Sequence, residues 1–397
     1  MSEWKEYRLG DFLKVKHGYA FKGENIVTEE TPNILVTPGN FNIGGGFKSD
    51  KFKYYKGDEF PKEYILTSGD IVVTMTDLSK DSDTLGYSAK IPYSTTHNYL
   101  HNQRIGLVQF VNENVCRDFV YWLMRTREYQ NYIVGSASGT SIMHTSPSRI
   151  EDYRCLIPSS LSEQESIASI LTSIDNKINL LHRENETLEA LGETLFCQWF
   201  IEEANGDDIS LGEVVKTTSG GTPSRKKEEY YCNGNVKWVK SKELHHSYIL
   251  ETEEKITEDA VAYSSAKLLP ENSVLIAMYG ATVGEYGILA EPMTCNQAVC
   301  ALIPNENYPY TYLYLWAKYM QGEFINLACG AAQQNISQEL IKQQYVSNDL
   351  KQISDFHILV APYMEKMKVN QEMIKTLNQM RDGLLPKLMN REVLVYG

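Results

Sequence analysis

The sequence predicts an α+β chain in which two similar domains of mixed strands and short helices are separated by two long helices that pair as an antiparallel coiled coil. Three observations carry this expectation. Residues 162–201 place Ile167, Leu171, Ile174, Ile178, Leu181, Leu188, Leu191 and Leu195 at a 4-3-4-3 spacing that keeps to one stripe of a helix. From Ile209 the pattern of the chain's opening starts again. A second helical stripe then closes the second copy.

The expected divisions are a first domain over 1–157, a first spacer helix over 158–205, a second domain over 206–347, and a second spacer helix with a C-terminal tail over 348–397. The first domain opens with Leu9-Gly10 and Gly18, then alternates short apolar runs with turn residues, as strands do. Residues 117–132 read as one amphipathic helix, followed by a loop through Gly139. Ser162 with Glu165 forms a capping box for the long helix, and Asn205-Gly206 is its expected stop. At 1.5 Å per residue such a helix is roughly 60 Å long, with a stripe narrow enough for one partner helix.

The repeat supplies that partner. Leu211-Gly212 answers Leu9-Gly10, Gly220 answers Gly18, residues 273–278 answer 70–75, Asn296-Gln297 answers Asn102-Gln103, and the loop at Gly330 answers that at Gly139. Their common order, with a drifting offset, is that of two diverged copies with loop deletions. Tyr363, Met367, Asn370, Ile374, Leu377, Leu384 and Leu388 form the second seam, interrupted by Arg381, and Pro362 is expected to kink or start this helix, which puts its continuous part at about 362–391. Asn185 and Asn370 are the polar seam positions that would set register.

Across 397 residues, 42% apolar and 22% charged, the composition is that of a water-soluble globular protein of more than one domain. No apolar run reaches membrane-spanning length and the start lacks a signal-peptide core, so a cytoplasmic protein without a membrane is expected. The seven cysteines are scattered without a C-x-x-C pair and read as reduced thiols. A net charge of −13 argues against nucleic acid until it is divided. Residues 156–205 alone hold 2 basic and 9 acidic groups, whereas residues 1–155 hold 18 and 19.

Catalytic and metal sites are not expected. There is no Pro-Pro pair, no H-E-x-x-H and no G-x-S-x-G, and Glu24 stands where a phosphate-binding loop needs Lys. Binding signatures are better represented. Ser219, Thr222, Ser224, Arg225, Lys226 and Lys227 surround Gly220-Gly221 with hydroxyls, cations and flexible N–H groups, a composition suited to phosphates. Lys240 and Lys242 follow in a run that alternates like a strand, and the first copy's equivalent loop carries Lys14, Lys16, His17, Tyr19 and Lys22. Asn102, Gln103, Arg104, Asn296, Gln297, Gln333, Gln334 and Asn335 have side chains able to read base edges. A solvated lysine-rich surface, or ordinary turn residues, would account for the same composition.

Taken together, these residues resemble the specificity (S) subunits of type I restriction-modification systems. The resemblance runs over essentially the whole chain. It rests on residues 195–200 (LFCQWF) closing the first helix, 383–389 (GLLPKLM) closing the second, Pro158 followed by Glu163-Gln164, 219–223 (SGGTP), Asn296-Gln297, and 279–284 (YGATVG) with Tyr279 and Thr282. The second copy has Asn348-Asp349-Leu350-Lys351-Gln352 in place of the Pro and Glu-Gln, and the first lacks the Gly-Gly-Thr-Pro loop.

The resemblance implies two target-recognition domains reading a bipartite double-stranded DNA target, one half-site each. It implies no catalysis in this chain, two methyltransferase subunits using S-adenosylmethionine, and a restriction subunit using ATP and Mg. Trp199 and Phe200 are candidate docking residues for the methyltransferase, with packing inside the chain as the equal alternative. A scaffold or inhibitory protein that no longer reads DNA is the competing function, motivated by the acidity of the second domain.

Overall fold

A computed structural model describes residues 3–49, 51–77, 79, 83–139, 142–203, 207–329 and 335–393. The chain divides into two compact units, residues 1–177 with 377–397, and residues 178–376. Each long helix contributes one end to each unit.

In the first unit, a four-stranded antiparallel sheet has the order Leu13–His17, Ile105–Phe110, Ile71–Thr74, Ser88–Lys90. The apolar alternation of these strands buries Leu13, Val15, Val73 and Val108 in one core. A second sheet carries Asn98–His101 parallel to Asn33–Val36. The opening strand, Trp4–Arg8, pairs antiparallel with Arg154–Pro158, which leads into the first long helix.

The second unit repeats this plan. Lys216–Ser219, Val299–Ile303, Val274–Ala277 and Tyr286–Leu289 form the same antiparallel order, extended by Tyr248–Ile249. Thr294–Cys295 lies parallel to Val236–Val239, and Asp208–Ser210 pairs with Tyr345–Ser347 ahead of the second long helix. The repeat read from the sequence is therefore a repeat of strand pairings.

The first long helix spans Leu161–Cys197 and continues as a π-helical turn over Gln198–Glu202. Its cap is Ser160, whose hydroxyl accepts from the Glu163 N–H at 3.4 Å, not Ser162, which lies inside the first turn. The expected stop at Asn205-Gly206 lies outside the described residues. Buried Gln164 fixes the helix start by donating to the Pro158 carbonyl at 2.8 Å and accepting from the Cys116 N–H at 2.7 Å. The second long helix spans Leu350–Met389, twelve residues earlier than expected from Pro362. Pro362 is exposed, and so is Ile358, whose carbonyl loses its helical donor to the proline, so the missing bond falls on the solvent side of the helix and not in the core.

The two helices run antiparallel within each unit. In the first, Ile167 and Leu171 near the start of one share a core with Leu385, Leu388 and Met389 at the end of the other. In the second, Phe196 and Phe200 share a core with Ile353, Phe356, Val360 and Met364. The polar seam residues meet as expected, with Asn370 Nδ2 donating to Asn185 Oδ1 and to Glu184 Oε2, each at 2.8 Å.

Two details of the helical reading change. Leu191 is 48% exposed, and the buried seam instead passes through Gly192, which packs on Leu315 and Val360, and then Phe196. A strict seven-residue stripe drifts around a 3.6-residue helix, and here the buried face has moved on by one position. The helix expected over 117–132 is two helices, Arg117–Leu123 and Arg127–Gly135. Thr126 caps the second by accepting from the Tyr129 N–H at 3.3 Å.

Candidate nucleic-acid interface

Antiparallel pairing sends the end of one strand and the start of its neighbour to the same edge of a sheet. In the first unit that edge gathers the end of Leu13–His17, the turn before Ile105 and the end of Ile71–Thr74. In the second it gathers the end of Lys216–Ser219, the turn before Val299 and the end of Val274–Ala277. Most of the candidate residues fall in these three places.

The close approach at each edge explains the glycine in the motif. A Cβ on Gly18 would lie 2.0 Å from the Asn102 carbonyl oxygen, and a Cβ on Gly220 would lie 2.0 Å from that of Cys295. No side chain fits at these two glycines, so there the loop meets the backbone of the Asn-Gln turn directly. The third segment matches as well: the Met75 N–H donates to the Arg104 carbonyl at 2.9 Å, and the Met278 N–H to the Ala298 carbonyl at 2.8 Å.

In the first unit, Asn102 is buried and its side chain accepts from the Arg104 N–H at 2.9 Å, so it shapes the turn while Gln103 and Arg104 face solvent. Tyr19 pairs with Asn102 through a backbone bridge and packs its ring 5.3 Å from that of Tyr64. Lys16 lies over the Tyr64 ring at 4.4 Å, and His17 is exposed beside it in sequence. Lys14 is held by Glu151 at 2.9 Å, and Lys22 is exposed at the start of a short 3₁₀ turn. Burial lowers the His101 pKa to about 4, so the ring is neutral and donates from Nε2 to the Ile105 carbonyl at 2.8 Å.

In the second unit, the Ser219-to-Pro223 loop is pinned by two aromatic residues. Trp238 Nε1 donates to the Gly221 carbonyl at 3.0 Å and Tyr231 Oη to that of Pro223 at 2.6 Å. Exposed Thr222 donates to the Gln297 side-chain oxygen, and Asn296 accepts from the Ala298 N–H at 3.1 Å. Tyr279, 43% exposed, pairs with Asn335 through a backbone bridge, and the Thr282 hydroxyl donates to its carbonyl at 3.1 Å. Gln333 and Gln334 lie outside the described residues.

The cations of this unit are mostly engaged. Arg225 bonds Glu254 at 2.6 Å, Lys240 bonds Glu254 and lies 3.3 Å from Glu253, and Lys242 lies 2.7 Å from Glu253. Hydrogen bonds from Arg225 and Lys240 lower the Glu254 pKa to about 2. Lys227 donates to the Tyr230 hydroxyl at 2.9 Å, while Ser224 and Lys226 are exposed. The strand-like alternation expected to carry Lys240 and Lys242 ends at Val239, where the Glu243 carboxylate accepts from the Lys240 N–H at 2.7 Å and starts a 3₁₀ turn.

Phe200 is buried, its ring 4.9 Å from Tyr312 and 5.1 Å from Phe356, and partly buried Trp199 packs 5.9 Å from Phe356. Phe200 thus belongs to the second unit's own core, whereas Trp199 is only partly covered by it. The residues that sequence reasoning missed are Tyr64, Tyr231, Trp238, Glu254 and Lys267, which donates to Thr218 Oγ1 at 2.8 Å. Tyr64, Glu254 and Lys267 lie 29 to 49 positions from Lys16, Arg225 and Thr218, the loop residues they engage, so spacing carried no signal for them. Tyr231 and Trp238, eight and seventeen positions from the carbonyls they pin, carry no cue in residue type that they would fold back onto the loop. Among the described residues no helix is long and apolar enough to cross a membrane, and no group of three or more His, Cys, Asp and Glu is arranged to hold a metal.

The geometry agrees with what the chain is similar to. The Type I restriction modification DNA specificity domain matches residues 1–190 and again 205–348. The MjaIX specificity subunit of Methanocaldococcus jannaschii is 26% identical over 71% of this chain and 70% of its own length. The HindI specificity subunit of Haemophilus influenzae is 24% identical over 99% of this chain and 100% of its own. The crystal structure of a type I restriction-modification S subunit from M. genitalium shares the fold at a TM-score of 0.61 and 17% identity, covering 98% of this chain and 96% of that one. Matched once in each of its two repeats, the chain belongs to the type I restriction modification DNA specificity family, the non-catalytic DNA-recognition subunits of type I restriction-modification systems.

Proposed function

We propose that this chain reads a bipartite double-stranded DNA target, one half-site per domain, through the loop clusters at the equivalent edges of its two main sheets. The observation that carries the reading is the repeated cradle, in which Gly18 lies against Asn102 and Gly220 lies against Cys295-Asn296. Two copies of one construction, each with exposed polar side chains at the turn, suit two separate readings better than one continuous site. Gln103 and Arg104 are the base-reading candidates of the first domain; Thr222, Gln297 and Tyr279 are those of the second. Lys16, His17, Lys22, Lys226 and Lys227 are placed on phosphates.

In this reading the chain works in the cytoplasm with two methyltransferase subunits and a restriction subunit. S-adenosylmethionine, ATP and Mg belong to those partners. The test maps methylated adenines in cells that produce the whole system. Gln103→Ala with Arg104→Ala should relax one half of the methylated motif only, and Gln297→Ala with Tyr279→Ala the other half only. An unchanged motif, or relaxation of both halves by either pair, would overturn the proposal.

A further inference from the structure

We propose that Arg225 reads a guanine in the half-site of the second domain and that Glu254 and Tyr231 hold its guanidinium in reading position. The inference rests on the DNA-reading role proposed above and adds a residue and a base to it.

Arg225 follows the loop that carries Thr222 to Gln297. Its Nη1 bonds Glu254 Oε2 at 2.6 Å, and its Cζ lies 4.2 Å from the Tyr231 ring centre and 5.3 Å from that of Trp238. Those two rings are the ones whose polar atoms pin the Gly221 and Pro223 carbonyls. The side chain is still 55% exposed, so the guanidinium is oriented on one edge and one face while the rest of its five N–H fork remains open to a ligand. A guanine offers O6 and N7 as two adjacent acceptors in the major groove, the pattern that such a fork fits.

The surrounding charge favours a base over a phosphate. Glu254 and Glu253 face Arg225, Lys240 and Lys242, and Glu243 closes on the Lys240 and Glu253 N–H groups. Three carboxylates thus accompany three cations, and a phosphate entering there meets the Glu254 carboxylate. Glu254 is a positioning residue, binding Arg225 on one oxygen and Lys240 on the other.

The experiment uses the full chain in its assembled methyltransferase complex, with a duplex DNA library randomised one position at a time as the probe. Arg225→Lys keeps the charge and loses the fork. It should reduce discrimination at one G·C pair of a single half-site by about tenfold or more, with every other position unchanged. Glu254→Ala should loosen the same pair and no other. A uniform loss across all sequences with the salt slope lowered by about one would make Arg225 a phosphate contact and overturn the proposal. Full retention of the motif in Arg225→Lys would overturn it too. Gln297→Ala with Tyr279→Ala is the companion: a motif it relaxes but Arg225→Lys leaves intact sinks this inference alone, and a motif that neither changes sinks the DNA-reading role itself.

Discussion

Replacing Asp175 by Ala should cost the first unit about 3 kcal/mol. Asp175 Oδ2 lies 3.2 Å from Arg125 Nη1 and its Oδ1 lies 2.8 Å from Arg381 Nη1. The Arg125 side chain is only 3% exposed, surrounded by the Tyr121 hydroxyl at 2.8 Å, the Gly44 carbonyl at 3.0 Å and the Trp122 ring at 4.4 Å. Removing the carboxylate leaves that cation buried without a counter-charge, which in comparable sites costs about 3–5 kcal/mol. The lower end applies because Asp175 is 20% exposed and Arg381 keeps a second partner, Asp382, at 2.9 Å. A unit of about 200 residues loses about 2–4 °C of melting temperature per kcal/mol, so its transition should fall by about 6–12 °C. Because the chain has two units, the measurement is hydrogen exchange followed peptide by peptide under rising denaturant, which reports the first unit separately. Arg125→Met with Asp175→Leu should recover only part of the loss, since the apolar pair removes the buried charge but leaves the Tyr121 hydroxyl and the Gly44 carbonyl without their Arg125 partner. A loss under about 1 kcal/mol in Asp175→Ala would refute the reasoning and make the triad an ordinary screened surface pair.

Three further expectations follow. Gly18→Ala and Gly220→Ala each drive a methyl into a backbone carbonyl 2.0 Å away, so each should destabilise its own unit by about 2 kcal/mol or more, read by the same exchange experiment. The His101 pKa is about 4 against about 6.5 unfolded, so the unfolded chain binds the extra proton first. Its contribution is present above pH 6.5 and is lost as pH falls towards 4, by up to about 3 kcal/mol; His101→Phe should flatten that part of the urea-midpoint profile. Lengthening the first long helix by two turns should change the spacer between half-sites and leave both half-sites as they were, which methylation mapping checks; an unchanged spacer would mean that the helices do not set it.

Much of the organisation was legible because it rests on periodic burial. The repeat, the two helices and the Asn185–Asn370 contact follow from which positions must leave water, and Leu9, Leu171 and Asn370 are all fully buried in the structure. The helix boundaries were less legible. Pro362 reads as a start only while its neighbours' exposure is unknown, and Ser162 competes with Ser160 for the cap until the chain's entry from Pro158 is seen.

By itself the sequence determined that there are two copies of one plan, that each leads into a long amphipathic helix, and that the candidate DNA-binding residues gather mainly around Gly18 and Gly220 and at the Asn-Gln turns. Local chemistry is enough for that, because side-chain type and spacing are properties of neighbours along the chain. Only the tertiary structure decided what each candidate does with its charge. Glu254 silences part of Arg225 and Lys240 from 14 or more positions away, Tyr64 receives Lys16 across 48 positions, and Phe200 is taken into a core formed with Tyr312 and Phe356. Such pairings depend on which loops a sheet edge brings together, and electrostatics and burial act through that distance in space, not through distance in sequence.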